Sequence, residues 1–252
     1  GLWDVGILKF DSAGNQLVFA TYIGGLESEA PQSLVEDQEG NLIILGSTSS
    51  ENFPVTDGVL QPGFSGGSPM PGNASPVEGV PYNNGSDLFI AKLSADGRQL
   101  LASTYLGGSD NDGIIPAGRP LTKNYGDQFR SDVTFDKDNN ILIASHTAST
   151  DFPVSNGFQM AFGGGTHDGI VCKISSDLRQ IEWASYVGGA GMDALFSIKT
   201  DDEGIVYAAG GTNSINFPVS VKAFKDQKPL PSDIDGIIVK ISANGTALLS
   251  AT

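Results

Sequence analysis

Asp87-Leu88-Phe89-Ile90-Ala91-Lys92-Leu93, followed eighteen residues after its aspartate by Tyr105-Leu106-Gly107-Gly108, is a phrase that the chain repeats. It recurs as Asp4 to Phe10 with Tyr22-Ile23-Gly24-Gly25, and as Asp168 to Ile174 with Tyr186-Val187-Gly188-Gly189. A fourth copy, Asp235 to Ile241, would place its tyrosine one residue past Thr252. Every copy has Asp first and Lys sixth, at Lys9, Lys92, Lys173 and Lys240. Self-similarity at a fixed long period marks a repeat architecture.

Working outward, a second landmark is a turn of the form Asp-x-x-Gly/Asn: Asp37 to Gly40, Asp136 to Asn139, Asp201 to Gly204. Thirteen residues beyond its last member stand Phe53-Pro54-Val55, Phe152-Pro153-Val154 and Phe217-Pro218-Val219, each preceded by Thr-x-Ser. The four starting aspartates lie 83, 81 and 67 residues apart. The excess falls in two places, about 62–86 and 111–130, both rich in Gly, Pro, Asn and Ser and read as loop insertions. The modules therefore run about 4–62, 87–162, 168–230 and 235–252, the last one truncated, within a single domain.

Each module reads as four strands. The first, such as Phe89 to Leu93, and the fourth, Leu42 to Leu45, are apolar on both faces and need cover on both. The second, Leu17 to Tyr22, alternates more, which predicts greater exposure; the third, Ser33 to Glu36, is short. Short Gly- or Asn-bearing turns such as Ser94-Ala95-Asp96-Gly97 join consecutive strands into antiparallel sheets. Four-stranded sheets covered on both faces stack as blades around an axis, so the fold class is all-β, a β-propeller. A β-sandwich would keep one solvated face and needs no long repeat, and the rungs of a β-helix are shorter.

Composition narrows the function. The net charge is −15 over 252 residues, which repels nucleic acid and anionic membranes. No apolar run approaches the roughly 20 residues of a membrane-spanning helix, and Gly1 to Phe10 lacks the basic start and apolar core of a secretory leader. The single cysteine, Cys172, sits in a strand-like run and reads as a small core residue.

The string Asp87 through Ser103-Thr104-Tyr105-Leu106-Gly107-Gly108, then the Asp-x-x-Gly/Asn turn, then Thr-x-Ser-x-x-Phe-Pro, resembles the bacterial beta-propeller repeat called SBBP. The resemblance spans the chain outside the two insertions. It implies a propeller within a large secreted or cell-surface bacterial protein, extracellular or outer-membrane associated. By analogy with propellers, a blade runs from strand three of one module to strand two of the next: about Ser33 to Tyr105, Asp132 to Tyr186 and Ser197 to Thr252, after a half blade Asp4 to Tyr22. About three and a half blades form a partial ring, whose remainder is expected from further sequence or from a partner.

Chemistry is sparse. No nucleophile elbow, phosphate loop or nucleotide fingerprint occurs, and no catalytic residue is assigned. His146 replaces the Ser47 and Gly211 of the other modules and reads as a partly buried, hydrogen-bonded histidine, the alternative being a side chain that faces a central pocket; His167 is not at metal-pair spacing from it. Calcium is the one candidate cation, on Ser109-Asp110-Asn111-Asp112-Gly113, with Asp110 and Asp112 as ligands, although the closing Glu of an EF-hand is missing. The repeated Asp4, Asp87, Asp168 and Asp235 are read as bonding loop amides, with their lysines snorkelling from blade edges. Tyr22, Tyr105 and Tyr186 mark the repeat, and Phe53, Phe152 and Phe217 plug gaps between blades. Asn73-Ala74-Ser75, Asn84-Gly85-Ser86 and Asn244-Gly245-Thr246 match the short N-glycan acceptor pattern.

These readings favour a non-catalytic binding or scaffold module that engages a protein, a glycan or part of a secretion apparatus, with the two insertions as contact loops removable without loss of fold. The rivals are a propeller lyase or hydrolase with a central-channel site, and a structural spacer in an adhesin or secretion-associated assembly.

Overall fold

Strands that are apolar on both faces are satisfied only between two other sheets, and the chain achieves this by stacking consecutive meanders. The structure, a computed structural model, describes residues 2–72, 79–123, 126–221, 223–225 and 234–252. Strands β1 (Val5–Phe10) and β2 (Leu17–Ile23) form a two-stranded sheet. Three four-stranded antiparallel sheets follow, each in chain order. Blade 1 comprises β3 (Glu29–Glu36), β4 (Leu42–Thr48), β5 (Asp87–Leu93) and β6 (Leu100–Leu106). Blade 2 comprises β7 (Asp132–Phe135), β8 (Ile141–Thr147), β9 (Asp168–Ile174) and β10 (Ile181–Val187). Blade 3 comprises β11 (Asp193–Thr200), β12 (Val206–Thr212), β13 (Asp235–Ile241) and β14 (Leu248–Ala251). Among the described residues the only helical turn is the 3-10 segment Asp127–Phe129.

The protein is thus an all-β partial propeller, and its blades are phased as expected, from strand three of one module to strand two of the next. Strands β3, β7 and β11 lie innermost, where the Asp132 carboxylate accepts from Ser33 Oγ at 3.0 Å and from Ile198 N at 3.1 Å. The third strand begins earlier than its sequence suggests, at Glu29 and at Asp193, its pairing continuing across a bulge between Pro31 and Ser33 and between Leu195 and Ser197.

Alternation splits the core into layers. Ile43, Leu45, Leu88 and Ile90 of blade 1 meet Ile143, Ile170, Cys172 and Tyr186 of blade 2. Leu142, Ala144, Val171 and Trp183 on the other face of blade 2 meet Val206, Ile237 and Val239 of blade 3. Val5 and Ile7 of β1 cover Ile44, Phe89 and Ala91 of blade 1. Phe53 and Phe152 are buried in these layers, Phe53 with its ring centroid 4.5 Å from that of Phe89.

The second strand of the module is exposed as expected in β2 and at Glu182, but β6 and β10 are otherwise mostly buried, because the Phe-Pro-Val crossing loop lies along them: Thr56 N donates to Ser103 O, and Ser155 and Ala184 exchange two backbone bonds. This cover protects the outer sheet edges. Conversely β1 is covered on one face only, and Leu8 and Phe10 are exposed.

The Asp-x-x-Gly turns hold their last residue at positive φ, 83° at Gly40 and 65° at Asn139, a conformation that Asn tolerates better than most residues.

Candidate functional site

The repeated polar residues form one circuit per module. Gly24, Gly107 and Gly188 are approached by the carboxylates of Asp4, Asp87 and Asp168, and Gly25, Gly108 and Gly189 by the side chains of Ser50, Ser149 and Ser214. Any Cβ there would overlap them, so the tyrosine must be followed by two glycines. Asp87 accepts from Ser65 N, Gly66 N and Gln61 Nε2, and Asp168 from Gly163 N. Burial pushes both carboxyls up to about 7, against those donors. In blade 3, Asp235 instead takes the Lys225 ammonium at 2.6 Å. Tyr105 and Tyr186 donate to Ser50 O and Ser149 O, whereas Tyr22 lies exposed.

The lysines do more than snorkel. Lys92 pairs with Asp37 at 2.9 Å and Lys173 with Asp136 at 2.6 Å, each tying strand one of the next module to the Asp-x-x-Gly/Asn turn. Burial alone would raise these aspartates, but the ammonium and the Asn41 or Asn140 donors outweigh it and hold both below the ordinary range.

Asp112, read as a calcium ligand, turns inward. It is fully buried, accepts from Thr147 Oγ1, from Gly108 N at 2.8 Å and from Ser149 Oγ at 3.1 Å, and burial raises it well above the usual range. Asp110 is only partly buried and accepts from Asn111 N. Among the described residues no three His, Cys, Asp or Glu side chains converge as a metal site. Asp112 belongs to a repeated set that sequence reasoning missed. Seven residues after each tyrosine stands an acid, Glu29, Asp112 or Asp193, and each joins its glycine turn to the Thr-x-Ser segment. That spacing was the available signal.

The two insertions come together. Asn111 Nδ2 donates to Ser68 O at 3.0 Å while its Oδ1 accepts from Ser86 N at 3.0 Å. Asp112 N donates to Ser86 O, and Ser86 Oγ to Asp112 O. Met70, Val80 and Tyr82 of the first insertion bury Ile114 of the second. Ile115 and Leu121 reach on to Met192 and Ala194 of blade 3, and Gln32 Nε2 donates to Gly113 O. The result is one cap over the end of the blades where β3 and β11 begin. Because Tyr82, Ile114 and Ile115 are fully buried, neither insertion is removable without exposing core, contrary to the expectation from composition. Residues 73–78 and 124–125, with the Asn73-Ala74-Ser75 triplet, lie outside the described residues. Beside the cap opens a polar cleft of about 540 Å³, lined by Glu51, Phe64, Ser65, Pro69, Asn83 and Asn84.

His146 faces no central pocket. It is the next-to-last residue of β8, beneath the second insertion, its ring 6.1 Å from that of His167, so residues 21 positions apart in sequence meet in space. No ring nitrogen of either has a hydrogen-bond partner. Burial, then the neighbouring His167, holds His146 well below its ordinary value. Burial also lowers His167 to about 4, an effect opposed by the nearby Ile114 carbonyl, which lies outside hydrogen-bonding geometry. Cys172 is fully buried and its thiol is raised by that burial.

No protein-family model matches the chain, and no curated protein matches its sequence.

Proposed function

We propose that this chain is a non-catalytic binding module, a rigid scaffold within a secreted or surface-attached bacterial protein of the SBBP type. Its cap engages a glycan or a polar protein surface. One observation carries the reading: insertions from two different modules are packed into a single cap, leaving a polar cleft beside it. Loops on a rigid scaffold commonly supply contact residues. Exposed Glu51 and Asn83, the latter held by its Nδ2 bond to Glu27 Oε2 at 2.7 Å, with Ser65 and the Phe64 ring, supply the polar atoms and apolar surface that hydroxyl-rich ligands use. The repeated carboxylates and the histidines are occupied by, or enclosed within, the fold, which favours binding over catalysis.

The test is retention of the wild type and of E51A/N83A on an array of immobilised glycans. The wild type should be retained by at least one glycan class, and the variant should lose that retention while its thermal unfolding stays unchanged. Retention that ignores the double substitution, or none by any glycan, would count against a glycan site at this cleft.

A further inference from the structure

At one end of blade 2 two histidines are buried with nothing in the chain to bond their rings. His146 lies on the face of β8 that carries Leu142 and Ala144, turned toward blade 3, and Gly169, its partner across the ladder, has no side chain beside it. His167 stands one residue before β9. The His146 carbonyl accepts from Gly113 N at 2.9 Å and the His167 carbonyl from Asp193 N at 2.8 Å, so both backbones are pinned. His146 is fully buried and His167 is 4% exposed, yet Nδ1 and Nε2 of both rings lack a hydrogen-bond partner. Buried polar atoms are rarely left so. The first module has Ser47 and Ser86 at these two positions, and both are bonded: Ser47 Oγ lies 3.4 Å from the Tyr82 hydroxyl and Ser86 Oγ donates to Asp112 O. The third module has Gly211 and Ile234 there. Only the second module sets two nitrogen ligands face to face.

The spacing of the rings selects among the groups that could join them. Two metal–nitrogen bonds of about 2.0 Å in a straight line, added to the two ring radii, span about 6 Å between centroids. The centroids lie 6.1 Å apart. A tetrahedral angle at the metal would bring them to about 5 Å, as would a direct ring-to-ring hydrogen bond of about 2.9 Å. The interplanar angle of 61° is compatible with a linear link, which leaves the rings free to twist about it. Burial keeps both imidazoles neutral, the form that ligates metals. Among the described residues no third His, Cys, Asp or Glu joins the pair, whereas zinc takes three or four protein ligands. The charges that act on His167, Asp110 and Arg119, are opposite in sign, so no net negative field favours a divalent ion. The Ile114 carbonyl stands beside the His167 ring, where metal-bound histidines commonly keep an acceptor for the other nitrogen.

We infer that His146 and His167 form a buried, two-coordinate site for a soft monovalent metal ion, Cu(I). The ion clamps the segment before β9, which begins with Gly163-Gly164-Gly165, to the end of β8 beneath the second insertion. It shares no residue with the polar cleft beside the cap, so it is a second site and not part of the first. Because both rings are enclosed, the ion enters as the chain folds or as the cap opens.

The test refolds the whole chain without oxygen in the presence of Cu(I) kept reduced by ascorbate, desalts it and measures the copper retained. It is run beside H167S, H146S/H167S, which installs the serines of the first module, and C172S, whose thiol lies on the opposite face of blade 2. Wild type and C172S should each hold one Cu(I) per chain and melt at a higher temperature than the metal-free protein. X-ray absorption at the copper edge should show two nitrogen neighbours and the intense pre-edge peak of linear Cu(I). In competition with a Cu(I) chelator both histidine variants should bind at least about a hundredfold more weakly, with circular dichroism as the check of fold. Wild type that retains no copper overturns the inference, as does copper held equally by folded H146S/H167S. A three- or four-coordinate absorption signature, or copper that departs with Cys172, overturns it too. Should the histidine variants not fold, the absorption spectrum of the wild type decides.

Discussion

Asn111→Ala tests whether the two insertions form one cap. Asn111 is almost fully buried, and its amide is used at both ends, donating to Ser68 O and accepting from Ser86 N. Losing the first bond costs about 1 kcal/mol net, and leaving the buried Ser86 N–H without an acceptor costs about 1–3 kcal/mol. Docking of the first insertion should weaken by about 2–4 kcal/mol, whereas the backbone bond from Ala148 N to Asn111 O survives the substitution. Local opening should then rise by about thirtyfold to a thousandfold. Hydrogen–deuterium exchange resolved by peptide reads this directly. Peptides covering Phe64–Met70 and Val80–Ser86 should exchange faster, while β9, buried between two blades, should not. Exchange in the first insertion that changes by less than about threefold would refute the reasoning, since opening free energy and protection are tied by the same relation.

Asp136→Ala strands the Lys173 ammonium and removes the acceptor of Asp138 N, Asn140 N and Asn140 Nδ2, so chemical denaturation should register a loss of about 3–5 kcal/mol. A loss below about 1 kcal/mol would make the ion pair dispensable. Phe152→Ala empties a buried site between blades 1 and 2 beside Tyr186 and should cost about 3–5 kcal/mol by the same assay. Acid should act through the histidines. Their folded pKa values lie below the unfolded value near 6.5, so their stabilising contribution is complete above pH 6.5 and is lost as pH falls. His167, lowered to about 4, accounts for about 3 kcal/mol of that loss. Asp87 and Asp168, raised to about 7, act in the opposite sense, gaining as pH falls from 7 towards 4. The difference between wild type and H146S/H167S, which installs the residues of the first module, isolates the histidine contribution; parallel pH–stability curves would show that the pair does not titrate as described.

The fold was legible because its determinants are local and repeated. Strand alternation, a Gly or Asn at the positive-φ turn positions other than Leu178 and the recurring Tyr-x-Gly-Gly each appear at least three times, and coincidence does not survive that repetition. The blade phase followed as well, since β3–β6, β7–β10 and β11–β14 each straddle two modules as expected. The candidate site was less legible. The acids Glu29, Asp112 and Asp193 keep a constant distance from the tyrosines, but the insertion beside Asp112 drew it into a calcium reading. The insertions looked like free loops because Gly, Pro and Asn dominate them, and Met70, Tyr82, Ile114 and Ile115 were too scattered to announce a core.

By itself, then, the sequence determined the module, its turns, its four-stranded sheets and a net charge of −15. The first three depend on backbone sterics and on which side of a pleat each residue faces, both set within a few neighbours along the chain. Only the tertiary structure decided that His146 meets His167 and that Asn111 binds two insertions into one cap. Those outcomes depend on how one blade is set against the next, which brings together residues tens of positions apart and is encoded in no local pattern.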